Sequence, residues 1–177
     1  MKINNLIVIS CIVLFLSAFT CDSKSKIDTF VLFNIDISGI RASISKDCSF
    51  LKGKHDSFIE FSLPYIETDN REVPNIIKST EVIDNDCSPS YQKNIEFDDV
   101  EASLDRDNSF DFTMRLTMWD EDLFNNEIVC SSTHRVKIMD ALKDYEETNV
   151  SLLCGNGVAI YIDSILVNDI EIAKRFE

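Results

Sequence analysis

Three acidic residues follow one strand-like segment closely enough to act together. Asp120, Asp122 and Glu127 come soon after residues 110–118, in which apolar residues alternate with polar ones. Several carboxylates at a strand end, with little basic compensation, predict a Ca²⁺ site, because hard cations prefer many oxygen ligands. The alternative interpretation is a solvated acidic turn that binds no metal.

The segment that positions these carboxylates is predicted to be a half-buried β-strand. Its apolar side chains occupy every second position, and such alternation is typical of a strand rather than a helix. Turn-bounded apolar segments predict seven further strands, at 29–37, 57–63, 76–84, 94–97, 128–138, 150–154 and 158–167. Eight short strands separated by turns predict an all-β fold, an eight-stranded antiparallel β-sandwich.

Two other segments are predicted to lie outside the strands. The polar stretch 40–56 predicts a long loop, and long loops in compact domains are usually functional. Residues 139–147 predict a short helix, because Ala141, Leu142 and Tyr145 fall at helical spacing.

Composition and charge limit the class of the protein. The 177 residues are 45% hydrophobic and 27% charged, which is typical of one globular domain. The net charge of −14 excludes generic electrostatic binding to nucleic acid. It would also repel an anionic lipid surface unless the acidic surface is neutralised locally.

The N-terminal residues have the pattern of a secretory signal peptide. Lys2 supplies a positive start, residues 6–19 are almost wholly apolar, and a cleavage-site pattern follows at 18–20. We therefore expect secretion, with a signal peptide over 1–23, a domain over 28–167 and a C-terminal tail over 168–177. The alternative is a lipoprotein in which Cys21 carries lipid, although Phe19 and Thr20 fit that processing site poorly.

Four cysteines remain within the predicted domain. An even number in an oxidising compartment predicts two disulfides, for which three pairings are possible. The spacings are too wide and irregular for a zinc site. The four are Cys48, Cys87, Cys130 and Cys154. A separate motif, Asn149-Val150-Ser151, is an N-glycosylation sequon.

Four segments, in order along the chain, resemble motifs of the C2 domain family. Residues 37–41 are similar to the end of the family's first strand, and 55–61 to its Asp-Pro-Tyr-Val-Lys-Val segment. Residues 78–97 resemble its Thr strand, Asn-Pro-x-Trp turn and Phe strand, and 118–122 its Val-x-Asp-x-Asp third loop. The resemblance covers 28–167, is greatest to the secreted C2 domain of perforin, and implies a C2-like sandwich of type II topology.

The resemblance also implies a set of Ca²⁺ ligands. Asp56 matches a first-loop ligand, and Asp120 and Asp122 match the central pair of the third loop. Glu127 is the nearest candidate for the remaining third-loop ligand, and Asp47 lies in a lengthened first loop. The third loop is two or three residues shorter than in the family, so the ligand set departs from the family pattern.

The same resemblance places the cysteines and the loop-tip apolar residues. It implies the pairings Cys48–Cys87 and Cys130–Cys154. The residues placed for insertion into a membrane are Leu123 and Phe124 in the third loop and Phe50 and Leu51 in the first loop. The alternative is that these four side chains pack locally.

These patterns give two expectations for function. The first is Ca²⁺-dependent attachment to an anionic phospholipid membrane, in which Ca²⁺ cancels the clustered carboxylates and bridges to lipid phosphates. The second is an extracellular module that binds protein or glycan and has a degenerate calcium site. We expect no enzymatic activity, because His55 and His134 are the only histidines and neither belongs to a nucleophile motif.

Overall fold

The alternating segments of the chain form two layers of antiparallel strands. A computed structural model describes residues 27–44, 56–63, 76–84, 86–121, 126–155 and 157–176. The strands are β1 (Ile27–Ser38), β2 (Arg41–Ile44), β3 (Asp56–Leu63), β4 (Ile76–Ser79), β5 (Ile83–Asp84), β6 (Ile95–Ser103), β7 (Phe110–Glu121), β8 (Glu127–Ile138), β9 (Tyr145–Gly155) and β10 (Val158–Phe176).

The chain divides into two units, and the sandwich belongs to the larger. Thr29–Lys174 forms one unit, while Met1–Asp28 together with Arg175–Glu177 forms the other. The smaller unit lies almost entirely outside the described residues, and so does the predicted signal peptide, 1–23.

One layer, called sheet A, contains β1, β2, β6, β9 and β10, and two of these strands share one position. Both β1 and β2 neighbour β10. Arg41 of β2 pairs with Tyr161, and the N–H of Asp163 donates to the carbonyl of Gly39 just before β2. The two strands are therefore one strand interrupted at 39–40.

The other layer, called sheet B, has the order β4-β3-β7-β8, and β5 also pairs with β3. Its strands β4 and β5 likewise share one position along β3. The ten segments thus fill eight strand positions. When the eight positions are numbered along the chain, those of sheet A lie side by side in the order fourth, first, eighth, seventh. Those of sheet B lie in the order third, second, fifth, sixth. The eight-stranded antiparallel sandwich of C2-like, type II topology is confirmed.

The core lies between the two sheets and consists of the inward-facing apolar side chains of the strands. Phe33 of sheet A packs against Phe110 and Phe112 of sheet B, with ring centroids 4.9 and 5.2 Å apart. Burial of such large apolar side chains is the main term that holds the layers together. The largest fully buried side chains are Phe33, Phe61, Phe97, Phe110, Ile35, Ile37, Ile40, Ile59, Leu63, Ile95, Met114 and Leu116.

The predicted short helix at 139–147 was wrong. Residues 139–144 form a turn, and β9 begins at Tyr145. Ala141 is buried and its N–H donates to the carbonyl of Asn108, whereas Leu142 is 73% exposed. Because these neighbouring apolar residues do not share a buried face, helical spacing has no packing to stabilise it.

Several strand boundaries also differ from those predicted. Strand β6 continues to Ser103 instead of ending at Phe97, and β9 begins at Tyr145 instead of Val150. Part of the predicted loop 40–56 is strand β2, because the N–H groups of Ala42 and Ile44 donate to the carbonyls of Pro89 and Cys87. The predicted C-terminal tail, 168–177, continues strand β10 to Phe176. There the Asn168 amide donates to Asp36 of β1 at 3.1 Å, so β10 keeps its neighbour beyond Val167.

Candidate functional site

Antiparallel pairing brings carboxylates from four strands to one end of sheet B. Asp56 begins β3 opposite Asp84 of β5 and opposite Glu121 of β7. Asp120 of β7 lies opposite Glu127, the first residue of β8. We call this group the carboxylate end; it consists of Asp56, Asp84, Asp120, Glu121 and Glu127.

The five carboxylates fall into two sets on opposite faces of the sheet. Cross-strand partners share a face, and successive residues alternate. Asp120 pairs with Ser57, and both are buried, so this face is the inner one. Glu127 shares that face by register, whereas Asp56, Asp84 and Glu121 share the outer face. The predicted ligands Asp56 and Asp120 thus lie at one end of the sandwich but on different faces.

The pKa of Asp56 is raised above the usual carboxyl value. Desolvation of the Asp56 carboxyl is the largest cause. Asp84 raises the pKa further, both by charge repulsion and by a hydrogen bond between the two side chains, and Glu121 and Asp120 add repulsion. A proton or a bound cation at this position relieves repulsion among the carboxylates.

The remaining predicted site residues lie outside the described residues. They are the ligands Asp47 and Asp122 and the membrane-contacting residues Phe50, Leu51, Leu123 and Phe124. Their roles remain predictions.

The sequence did not predict Asp84 and Glu121 as part of the site. Both are acidic and end a strand segment, but only the register of β5 and β7 against β3 brings them to Asp56.

The described carboxylates supply the donor type that Ca²⁺ needs, but not a complete set. Ca²⁺ takes six to eight oxygen ligands. In the described parts of the chain, no group of three or more His, Cys, Asp or Glu side chains is arranged to hold a metal ion.

A disulfide and a side-chain hydrogen bond join the two sheets along one side. Cys130 of β8 is bonded to Cys154 of β9, with Cα atoms 5.4 Å apart, which is the pairing the sequence resemblance implied. On the same two strands, His134 Nε2 lies 3.0 Å from a carboxylate oxygen of Glu147. Cys87 is also disulfide-bonded, but its predicted partner Cys48 lies outside the described residues.

The glycosylation sequon lies on the outside of the sandwich. Asn149 and Ser151 are both exposed on strand β9, with the buried Val150 between them. Asn149 has a positive φ of 59°, a conformation that Asn tolerates better than most residues. The asparagine and the hydroxyl of its sequon are therefore both accessible.

No helix among the described residues has the length and apolar character needed to cross a bilayer.

Comparison with known proteins identifies the fold through structure rather than sequence. No protein-family model matches the chain, and no curated protein matches it in sequence. A solved structure described as a C2 domain superposes with a TM-score of 0.50 at 12% identity, covering 77% of this chain and 98% of its own. A C2 domain protein from Ramazzottius varieornatus superposes with a TM-score of 0.53 at 11% identity, covering 82% of this chain and 93% of its own. The chain has the fold of a C2 domain.

Proposed function

We propose that this protein is a secreted C2-like module that attaches to anionic phospholipid membranes in a Ca²⁺-dependent manner. The observation that carries the proposal is the carboxylate end, where strands β3, β5, β7 and β8 place five acidic residues at the same end of sheet B. Among the described residues, no Lys or Arg lies within ion-pair distance of Asp56, Asp84, Glu121 or Glu127. Such a surface repels anionic lipid until a cation neutralises it.

The chain's own residues would act from both faces of sheet B. Asp120 and Glu127 would supply oxygens from the inner face and Asp56 from the outer face, and Asp122 and Asp47 would complete the set. Bound Ca²⁺ would supply positive charge that lipid phosphates can also coordinate. The apolar residues Leu123 and Phe124, with Phe50 and Leu51, would then enter the interface. The more specific likeness to the C2 domain of perforin belongs to this proposal as well.

Secretion is part of the same proposal. It is supported by the apolar N-terminal pattern and by the Cys130–Cys154 bond, because structural disulfides form and persist in oxidising compartments. Mass spectrometry of the intact protein from the culture medium gives the first residue, the number of disulfides and any mass added at Asn149. A chain that stays inside the cell with residues 1–23 attached contradicts secretion.

A second candidate function is an extracellular module that binds a protein or glycan partner and has a degenerate calcium site. The arrangement of the two best-placed ligands favours it, since Asp56 and Asp120 lie on opposite faces of the sheet. Both candidates are binding functions without catalysis.

Co-sedimentation with liposomes tests the first candidate. The purified protein is mixed with phosphatidylserine–phosphatidylcholine vesicles in Ca²⁺ or in chelator, and its melting temperature is measured in both. We expect pelleting and a raised melting temperature only with Ca²⁺. The double variant Asp120→Asn, Asp122→Asn should lose both responses, whereas Asp144→Asn, in the turn at the opposite end of the sandwich, should keep them. If Ca²⁺ changes neither quantity for the unaltered protein, the membrane function is rejected and the interaction module is favoured.

A further inference from the structure

An apolar row crosses the outer face of sheet B next to the carboxylate end. It consists of Phe58 on β3, Trp119 on β7 and Ile128 on β8, which are successive cross-strand partners. The rings of Phe58 and Trp119 are nearly parallel, at 16°, with centroids 6.5 Å apart. Phe58 and Trp119 are half-buried and Ile128 is 54% exposed, so the row presents apolar and aromatic surface to solvent.

Three carboxylates border this row on the same face. Asp56 lies two residues before Phe58 on β3, and Glu121 lies two residues after Trp119 on β7. Two residues along a strand span about 7 Å. Asp84 extends the border through its pairing with Asp56. No Lys or Arg of the described segments forms an ion pair with any of the three.

Aromatic faces beside carboxylates that no described Lys or Arg pairs with favour one type of ligand, a cationic side chain with an apolar stem. An arginine or lysine can lay its methylene groups along an apolar row while its charge remains at the polar border. Trp is the best aromatic partner for such a cation, and the planar guanidinium of Arg also stacks on rings and bridges carboxylates. The same carboxylates, with the net charge of −14, repel an anionic ligand.

We propose that the apolar row and its carboxylate border bind an arginine-bearing segment of an extracellular protein partner, without Ca²⁺. This interaction goes beyond the proposed membrane function, and only the extracellular location of the partner rests on the proposed secretion. Asp84 and Glu121 belong to the border but not to the proposed Ca²⁺ ligand set. The two functions can therefore be separated by substitution.

Trp119 is the only tryptophan of the chain, so its fluorescence reports on the row directly. The protein is titrated, in chelator and without lipid, with a labelled peptide in which Arg alternates with Gly. We expect a saturable change in Trp119 emission and a matching rise in anisotropy of the label. The same peptide with Glu in place of Arg should give neither signal.

Variants test whether the apolar row and its carboxylate border are responsible for peptide binding. Trp119→Leu, and separately the pair Asp84→Asn with Glu121→Gln, should each weaken peptide binding about tenfold or more. Ile128→Ser offers a milder change at an exposed position, should Trp119→Leu fail to fold. Matched controls at the other end of the sandwich, Leu142→Ala and Asp144→Asn, should bind as the unaltered protein does.

Two results would overturn the proposal. One is peptide binding that the row and border variants leave unchanged, which would indicate a non-specific attraction to the acidic surface. The other is the absence of any saturable signal at low salt. Since the assay contains neither Ca²⁺ nor lipid, failure here leaves the membrane function standing, and failure of the liposome assay leaves this proposal standing.

Discussion

The hydroxyl of Thr80 accepts a hydrogen bond from the N–H of Ile59 at a point of β3 that pairs with neither β4 nor β5. The N–H of Ile59 donates to Thr80 Oγ1 at 2.9 Å, while the N–H of Thr80 donates to the carbonyl of Ile59 at 3.0 Å. Thr80 lies in the interruption between β4 and β5, so this contact continues the pairing along β3 toward the carboxylate end. A buried hydroxyl thus joins the two halves of one strand position.

Replacing Thr80 by Val should destabilise the sandwich. Valine has nearly the same shape but leaves the N–H of Ile59, on a fully buried residue, without its acceptor, which costs about 1–3 kcal/mol. Thr80→Ser keeps the hydroxyl and should retain more of the stability. Urea unfolding measures both variants. Equal free energies of unfolding for the Val and Ser variants would show that the hydroxyl is unimportant.

Gly39→Ala should be markedly destabilising because two effects act together. Gly39 has a φ of +66°, and an added Cβ would lie 2.3 to 2.5 Å from the side chain of Asp163. Gly155 is the matched control, since its φ is +79° but nothing lies within 4 Å of an added Cβ. Left-handed strain alone costs about 1–2 kcal/mol, so Gly155→Ala should lose that much and Gly39→Ala more. An equal fall in melting temperature for the two variants would mean that the Asp163 side chain moves aside at no cost.

Removing the Cys130–Cys154 bond should lower the free energy of unfolding by about 3 kcal/mol, because the bond closes a loop with a sequence separation of 24. The double variant Cys130→Ala, Cys154→Ala removes it without leaving a lone thiol. Since β8 and β9 belong to different sheets, amide hydrogen exchange should rise first along these two strands. A free energy of unfolding that urea denaturation finds unchanged would contradict the predicted contribution of the bond.

The stability of the protein should fall between about pH 10 and pH 12. Burial raises the pKa of Tyr91 to about 12, although its hydrogen bond with Ser57 acts in the opposite direction. A folded-state pKa above the unfolded value stabilises the fold below about pH 10, and this contribution disappears as the pH rises through the folded pKa. Two pKa units correspond to about 2–3 kcal/mol. Tyr91→Phe should therefore flatten the dependence of the urea-unfolding free energy on pH in this range, and an unchanged dependence would contradict the role of Tyr91.

The strands that the sequence predicted best are those with one uniformly apolar face. The alternation from Phe110 to Met118 predicts β7 to within a few residues, because a two-residue period matches the geometry of a strand and not that of a helix. The interruptions of β1/β2 and β4/β5 could not be predicted in this way. They depend on partners distant in sequence, such as Pro89 and Cys87 for β2 and Ile59 for Thr80.

The sequence predicted where the candidate site lies but not how its carboxylates are arranged. The acidic character of 120–127 is visible in the sequence, whereas the faces on which Asp56 and Asp120 lie depend on the register of β3 against β7. A shift of one residue in that register would exchange the two faces. For the same reason, the sequence did not show that Phe58, Trp119 and Ile128 form one row.

The antiparallel order of β1 and β10 also determines how force would act on the sandwich. Thr29 and Lys174, the limits of the larger unit, lie on adjacent strands at the end opposite the carboxylates. A pull applied through these two positions would peel β1 from β10 one hydrogen bond at a time rather than shear all of them together. A tether attached there would also leave the carboxylate end pointing away from its anchor.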